Sequence, residues 1–230
     1  MIELLNVDCM EYMAGLPDKA FDLAIVDPPY FSGPEKRKFY GREFSGHGVR
    51  RIDYKPLLNS WSVPNDEYYK ELVRVSKNQI VWGINYFNSF INVPVGRIVW
   101  DKCNDHSSFS DCEIASCSLI KSVRIIRYMW CGMMQGKSIK EGNIMQGSKL
   151  LNEKKIHPTQ KPVLLYKKII SDYAKPGDKI LDTHGGSMSI AIACHEMNFD
   201  LTLTEIDKDY YEAGFKRVAE AMKQQVLFNY

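Results

Sequence analysis

The sequence predicts an α/β chain built on a doubly wound, mostly parallel, seven-stranded sheet. Two observations carry that expectation. Short β-branched and apolar runs alternate with helical patterns along the chain, which implies parallel pairing. Two of those runs end in loops that cannot continue a strand, Asp27-Pro28-Pro29-Tyr30 and Asp182-Thr183-His184-Gly185-Gly186-Ser187-Met188-Ser189. In an open α/β sheet the carboxyl edge of the strands is where ligands bind. At 230 residues, 45% of them hydrophobic, the chain can bury a full core as a single domain over 1–230. A basic insertion is expected at 32–56 and a second basic segment at 119–156.

The strands are expected at Ile2-Leu5, Asp22-Val26, Gln79-Gly83, Arg97-Asp101, Glu113-Leu119, Lys179-Leu181 and Leu201-Glu205. The second is closed by two prolines, which lack an N–H for the ladder and fix φ, so it must stop at Val26. Helical patterns occupy Cys9-Ala14, Asn65-Val75, Val163-Tyr173, Ser189-Met197 and Lys208-Gln224. Start signals such as Pro64-Asn65-Asp66-Glu67 and Asp207-Lys208-Asp209 precede two of them.

Six cysteines at irregular positions, with no secretory leader, fit reduced thiols in a cytoplasmic protein better than a disulfide framework. Their spacing lacks the paired pattern of structural zinc sites, so no metal centre is expected. No apolar stretch is long enough to span a bilayer, and no membrane partner is expected. The net charge is only +2, but residues 35–55 hold seven Lys/Arg against three Asp/Glu, and residues 119–156 hold eight against two. That asymmetry is expected where two surface segments meet a polyanion. In the first segment Lys36, Arg37, Lys38, Arg42, Arg50 and Arg51 are interleaved with aromatic residues and glycines, a composition suited to phosphate contact and stacking. Both segments show little regular periodicity.

Asp27-Pro28-Pro29-Tyr30 delivers a carboxylate, a carbonyl on a rigid turn and an aromatic face to one edge. Asp27 and the Pro28 carbonyl can each accept a hydrogen bond from an exocyclic amino group, Pro29 stiffens the turn, and Tyr30 can stack on a planar ring, with Phe31 a second wall. The plain alternative is a strand end whose aspartate caps a neighbour. The second loop follows Lys179-Ile180-Leu181 and opens a helix, so its glycines lie where backbone N–H groups can approach a ligand. Glu205, about 20 residues on at the end of the next strand, is placed to take two ribose hydroxyls. The remaining glycines of the dinucleotide fingerprint are missing, which disfavours hydride transfer.

Taken together, these motifs resemble the amino-group DNA methyltransferases that use S-adenosylmethionine, in the permuted β-class order where the catalytic tetrapeptide precedes the cofactor loop. The resemblance runs through Asn6-Val7-Asp8-Cys9, Asp27-Pro28-Pro29-Tyr30, His157-Pro158-Thr159-Gln160-Lys161-Pro162, the loop from Asp182 to Ser189, and Glu205-Ile206-Asp207 with Tyr210. It implies a Rossmann-like methyltransferase fold. It also implies transfer of a methyl group to the exocyclic amine of a flipped base in double-stranded DNA, adenine N6 ahead of cytosine N4 because the tetrapeptide begins with Asp. By that resemblance Asp27, Pro28, Pro29 and Tyr30 are catalytic. Asp8 lies near the cofactor adenine, Asp182, Gly185, Gly186 and Ser187 wrap its methionine part, Thr159 and Lys161 lie near its carboxylate, and Glu205 holds the ribose. Residues 119–156 become a short target-recognition segment, a restriction-modification setting is implied, and a homodimer is left open.

One departure stands out: Thr183-His184 replace the family's Pro-Phe, and Met188 stands at a glycine position, where its side chain is expected to crowd the cofactor. A non-catalytic DNA-binding relative is therefore a second reading. An enzyme of the same fold acting on RNA or on a protein glutamine is a third.

Overall fold

The computed structural model describes residues 1–30, 63–87, 93–105, 110–131 and 134–228, with side chains as far as Lys223. In chain order the regular elements are β1 (Ile2–Leu5), α1 (Cys9–Ala14), β2 (Phe21–Val26), α2 (Asp66–Val75), β3 (Ser76–Trp82), β4 (Gly96–Asp101), β5 (Cys112–Cys117), β6 (Val123–Arg127), β7 (Trp130–Cys131), β8 (Met134–Gln135), α3 (Val163–Tyr173), β9 (Lys179–Asp182), α4 (Ser189–Glu196), β10 (Asp200–Thr204) and α5 (Lys208–Phe228). Local chemistry starts the first two helices. Asp8 Oδ1 accepts from the N–H groups of Met10 and Glu11 at 2.7 and 3.2 Å, and Asn65 Oδ1 accepts from Tyr68 at 3.2 Å.

The main sheet has the order β1-β10-β9-β2-β3-β5-β4-β6. Its first five strands are mutually parallel, β5 is antiparallel to both neighbours, and β6 is parallel to β4. The sheet is thus mostly parallel, as the sequence predicts, but it has eight strands rather than seven. The extra strand, β6, lies in the second basic segment, which has little periodicity. It is an edge strand in which only Ile126 is buried, so no alternation of apolar and polar residues marks it. β7 and β8 pair with each other outside the main sheet.

Both faces of the sheet are covered, which explains the unbroken apolar run from Leu23 to Val26 in β2. Leu23 and Ile25 pack with Ile80, Trp82, Ile98 and Ile169 in one core, whereas Ala24 and Val26 pack with Leu72, Val75 and Val81 in the other. Trp82 and Trp100, both buried, meet edge to face at 6.4 Å in the larger core.

Two features position the site. The N-terminal strand pairs beside β10, with Ile2 opposite Leu201 and Leu5 opposite Thr204, so Asp8 and Glu205 leave adjacent strands at the same edge. The second is a reversal of winding: β2 and β9 are neighbours, yet the chain proceeds from β2 toward β3 and from β9 toward β10, on opposite sides. The crevice between their carboxyl ends is a topological switch point, and Asp182 ends one strand while Asp27 follows the other. No helix among the described residues is long and apolar enough to cross a membrane.

Met188, in the left-handed region at φ 56°, is fully buried and belongs to the larger core. Its side chain lies over Gly214 of α5, where a Cβ would come within 2.7 Å of Met188 Cγ. Gly214→Val is therefore expected to destabilise the fold by about 1–3 kcal/mol in urea unfolding, through overpacking that outweighs glycine's poor helix propensity. In a Met188→Ala background, itself destabilised by the lost core burial, the further cost of Gly214→Val should be smaller than in the wild type; an equal cost in both backgrounds would refute the contact.

Candidate active site

A cavity of about 530 Å³ opens at the switch point. All four residues of the tetrapeptide line it, together with Asp8, Thr159, Lys161, Gly185, Gly186, Ser187 and Glu205. Separate stretches of sequence thus meet around one volume of a size suited to a small organic ligand. Asp182 is the exception: it is buried behind the wall, with Oδ1 accepting from the His184 N–H at 3.0 Å. The basic residues Lys36, Arg37, Lys38, Arg42, Arg50 and Arg51, and Phe31, lie outside the described residues.

Asp27 is held from one side only. Its Oδ2 pairs with the ammonium of Lys161, while its Oδ1 is buried with no hydrogen-bond partner among the described residues. A buried carboxylate oxygen without a donor is unfavourable, so the cavity calls for a ligand that brings an N–H or O–H to that atom. Lys161 is itself almost fully buried, and a second carboxylate, Glu113 on β5, lies 2.9 Å from its Nζ. Two carboxylates of the chain thus pair with the Lys161 ammonium, which also lies in the cavity wall. Burial and the Glu113 charge push the Asp27 carboxyl up, and Lys161 pulls it back down.

Tyr30 is seated by a residue that the motif does not contain. Gly83, at φ +71°, follows β3 beneath its ring, and a Cβ there would come within 2.1 Å of Tyr30 Cδ1. The ring also stacks on Tyr86 at 4.7 Å, with the two planes nearly parallel at 9°.

On the opposite side, the glycine loop is fitted by exclusion. A Cβ on Gly185 would come within 2.3 Å of Leu203 Cδ2, and Gly186 takes φ +49°. The Gly186 N–H donates to Glu205 Oε2 at 2.6 Å, and the Asp207 N–H donates to Glu205 Oε1 at 2.8 Å. Those amides fix the carboxylate at the rim. The crowding expected of Met188 does not occur: its side chain points into the core over Gly214, and it is not part of the cavity wall. Gly214 on α5 leaves the room that the Met188 side chain takes.

The Thr183-His184 departure builds a polar chain. Tyr68 Oη lies 2.6 Å from Thr183 Oγ1, which lies 2.9 Å from His184 Nδ1. Burial pushes His184 down to about 4 and His157 down to about 3, so both are neutral imidazoles at neutral pH. His157 Nδ1 lies 3.1 Å from Thr159 Oγ1, and its ring packs against Tyr210 at 4.4 Å. Arg217 of α5 ties this wall together. Its guanidinium donates to the Ser187 carbonyl at 2.6 Å and to Ser189 Oγ at 3.0 Å, and pairs with Glu153. Glu153 in turn accepts from the Val163 N–H at 3.0 Å and from Gln160 Nε2 at 3.1 Å. Sequence reasoning missed Gly83, Tyr86, Glu113, Glu153 and Arg217, because none of them belongs to the motif that it supports.

The likeness to known proteins is specific. A family model described as DNA methylase, covering the N6 and N4 enzymes, matches residues 121–216. The resemblance to amino-group DNA methyltransferases is borne out. The chain is 25% identical to the Type II methyltransferase M.HinfI of Haemophilus influenzae over 251 aligned residues, covering 94% of this chain and 68% of that protein. It is 23% identical to M.HpaI of Haemophilus parainfluenzae, covering 96% and 78%. Among solved structures, the M1.HpyAVI–SAM complex matches with a TM-score of 0.52 at 21% identity, covering 94% of this chain and all of that one. The PvuII DNA methyltransferase, cytosine-N4-specific, matches with a TM-score of 0.54 at 11% identity, covering 97% and 92%. The architecture is the Rossmann-like methyltransferase fold.

Burial, with the charges of Asp27 and Glu205 nearby, pushes the Asp182 carboxyl up to about 7 from its ordinary 3.8. Between those values the folded chain keeps a proton that the unfolded chain has lost, so this group's contribution to stability falls as pH rises through the window. Wild-type protein should therefore lose stability relative to Asp182→Asn between about pH 4 and pH 7. Urea midpoints of the two proteins that run parallel with pH would contradict this.

Proposed function

We propose that this chain transfers a methyl group from S-adenosylmethionine to the exocyclic amino group of a base flipped out of double-stranded DNA. The observation that carries the reading is the half-held Asp27 carboxylate, with one oxygen anchored on Lys161 and the other buried and undonated in a cavity that Tyr30 also lines. An amino group is a partner that such an oxygen requires. Adenine N6 is preferred over cytosine N4 because Asp rather than Ser begins the tetrapeptide.

The residues present fit the cofactor. Gly185 lets the loop pack closely on Leu203, Gly186 adds a backbone without a side chain to the wall, Glu205 offers its carboxylate for a ribose, and Asp8 and Thr159 also line the cavity. With Met188 turned into the core, the crowding that favoured a degenerate relative loses its support. Bound there, the cofactor would supply a methyl group on a positively charged sulfur.

The chain's own part is electrostatic. An exocyclic amine conjugated to its ring is a poor nucleophile, because its lone pair is delocalised. Asp27 Oδ1 and the Pro28 carbonyl would each accept one of its N–H groups. That draws the nitrogen toward tetrahedral geometry and stabilises positive charge as it develops. Tyr30, seated on Gly83 and backed by Tyr86, would hold the ring of the base by stacking. The basic residues from Lys36 to Arg51 are proposed to contact phosphates, which makes binding salt-dependent without reading sequence.

Methyl transfer from labelled S-adenosylmethionine to duplex DNA, with RNA and protein as controls, tests the reading. Asp27→Ala should slow transfer by roughly 10²-fold or more while DNA and cofactor still bind, on the scale of other single electrostatic stabilisers. Tyr30→Ala should weaken productive DNA binding as well, by about 1–3 kcal/mol. Transfer by Asp27→Ala at the wild-type rate would reduce the tetrapeptide to a turn.

A further inference from the structure

Asp27 is the end of a chain of four charges that alternate in sign. Its Oδ2 meets Lys161 Nζ, which lies 2.9 Å from Glu113 Oε2, and Glu113 Oε1 lies 2.6 Å from Lys102 Nζ. The groups are withdrawn from solvent: side-chain exposure is 2% for Lys161, 15% for Lys102, 16% for Asp27 and 19% for Glu113. The two ammonium groups lie over tryptophan rings, Lys161 5.2 Å from the centre of Trp82 and Lys102 5.3 Å from that of Trp100.

Strand direction explains how Glu113 reaches this place. β5 is the antiparallel strand, so its N-terminal end lies at the carboxyl ends of β3 and β4, with Glu113 paired to Trp100 and Ala115 to Trp82. A parallel strand at that position would present its N-terminal residues at the far edge of the sheet. Neither Glu113 nor Lys102 belongs to any of the motifs that carry the family resemblance.

We propose that Glu113, with Lys102 behind it, is a positioning residue for methyl transfer: by sharing Lys161 with Asp27, it anchors Asp27 through Oδ2 while leaving Oδ1 and its negative charge for the substrate amine. The inference rests on the functional reading above. An ammonium carries three donors that diverge in space, and a single carboxylate cannot take them all, so a buried lysine needs further partners to stay charged and in place. A second carboxylate at 2.9 Å divides its charge and fixes its position.

The arrangement makes a prediction of opposite signs. The groups that face Asp27 are Lys161 from the 157–162 segment, Glu113 on β5, Lys102 after β4, Tyr166 on α3 and Asp182 on β9. Of these, the Glu113 charge holds the Asp27 carboxyl up, whereas the Lys161 and Lys102 charges hold it down. Glu113→Gln should therefore move the titration of Asp27 to lower pH, and Lys102→Met should move it to higher pH. Generic damage to packing would not give opposite shifts.

The experiment follows the Asp27 carboxyl carbon by NMR across pH in the full-length chain without substrate, its resonance identified by Asp27→Asn. Single-turnover methyl transfer is measured on the same proteins. The expected result is opposite titration shifts and, for Glu113→Gln, a plateau rate lower by about tenfold or more, the scale on which a misplaced reacting group acts. Calorimetric affinity for S-adenosylmethionine should hardly change, and Glu113→Asp should restore part of the rate. Unmoved titrations, or shifts of the same sign in both variants, would overturn the proposal, as would a Glu113→Gln plateau rate equal to wild type. Should Glu113→Gln fail to fold, the Lys102→Met and Glu113→Asp proteins decide: the upward Lys102→Met shift together with a plateau rate below wild type in both is expected, and wild-type plateau rates in both would overturn the proposal. Wild-type protein that transfers no methyl would overturn the functional reading itself, a result that the titrations do not depend on.

Discussion

The buried ammonium of Lys161 is the constraint around which this structure is arranged. An ion withdrawn from water is tolerated only when it is paired, and its two carboxylates come from different strands, Asp27 from the end of β2 and Glu113 from β5. Meeting both requires the 157–162 segment to lie across the carboxyl edge of the sheet. That segment is fixed there from behind by the Trp130 indole, which donates to the Gln160 carbonyl at 2.8 Å, and by Glu153 under Arg217. The cavity lies beside this strap, with His157, Thr159, Gln160 and Lys161 in its wall.

The same constraint leaves the Asp27 carboxylate held unevenly. Glu205, by contrast, uses both oxygens within the chain, accepting from the N–H groups of Gly186 and Asp207. Asp27 is satisfied on one side and left wanting on the other, among the described residues. A half-satisfied polar group costs stability, and such sites are kept where a ligand completes them. The glycines serve the opposite purpose, removing atoms where the walls approach: Gly83 under Tyr30, Gly185 against Leu203 and Gly214 under Met188.

Much of this is legible in the order of residues. Asp27-Pro28-Pro29-Tyr30 has to end a strand because prolines cannot pair, and β2 has to be buried on both faces because its apolar run has no polar alternation. The β1–β10 pairing follows from motif order. Less visible is β6, whose residues are mostly exposed, since an edge strand with one buried residue carries no period to read. Met188 misleads for a different reason. At a glycine position in the loop it reads as an obstruction, but its αL backbone turns the side chain toward α5, and the glycine that makes room is 26 residues away in sequence.

By itself the sequence determined the strand ends, the caps and the chemical types gathered in each motif, because backbone geometry and hydrogen-bonding capacity are local properties of a few residues. Only the tertiary structure decided which charges face one another. Nothing in the order of residues pairs Lys161 with Asp27 and Glu113, and Glu113 enters the site only because β5 runs against its neighbours. The reason is physical: Coulomb interactions in a buried site depend on separation in space and on strand direction, neither of which is written in the order of residues along the chain.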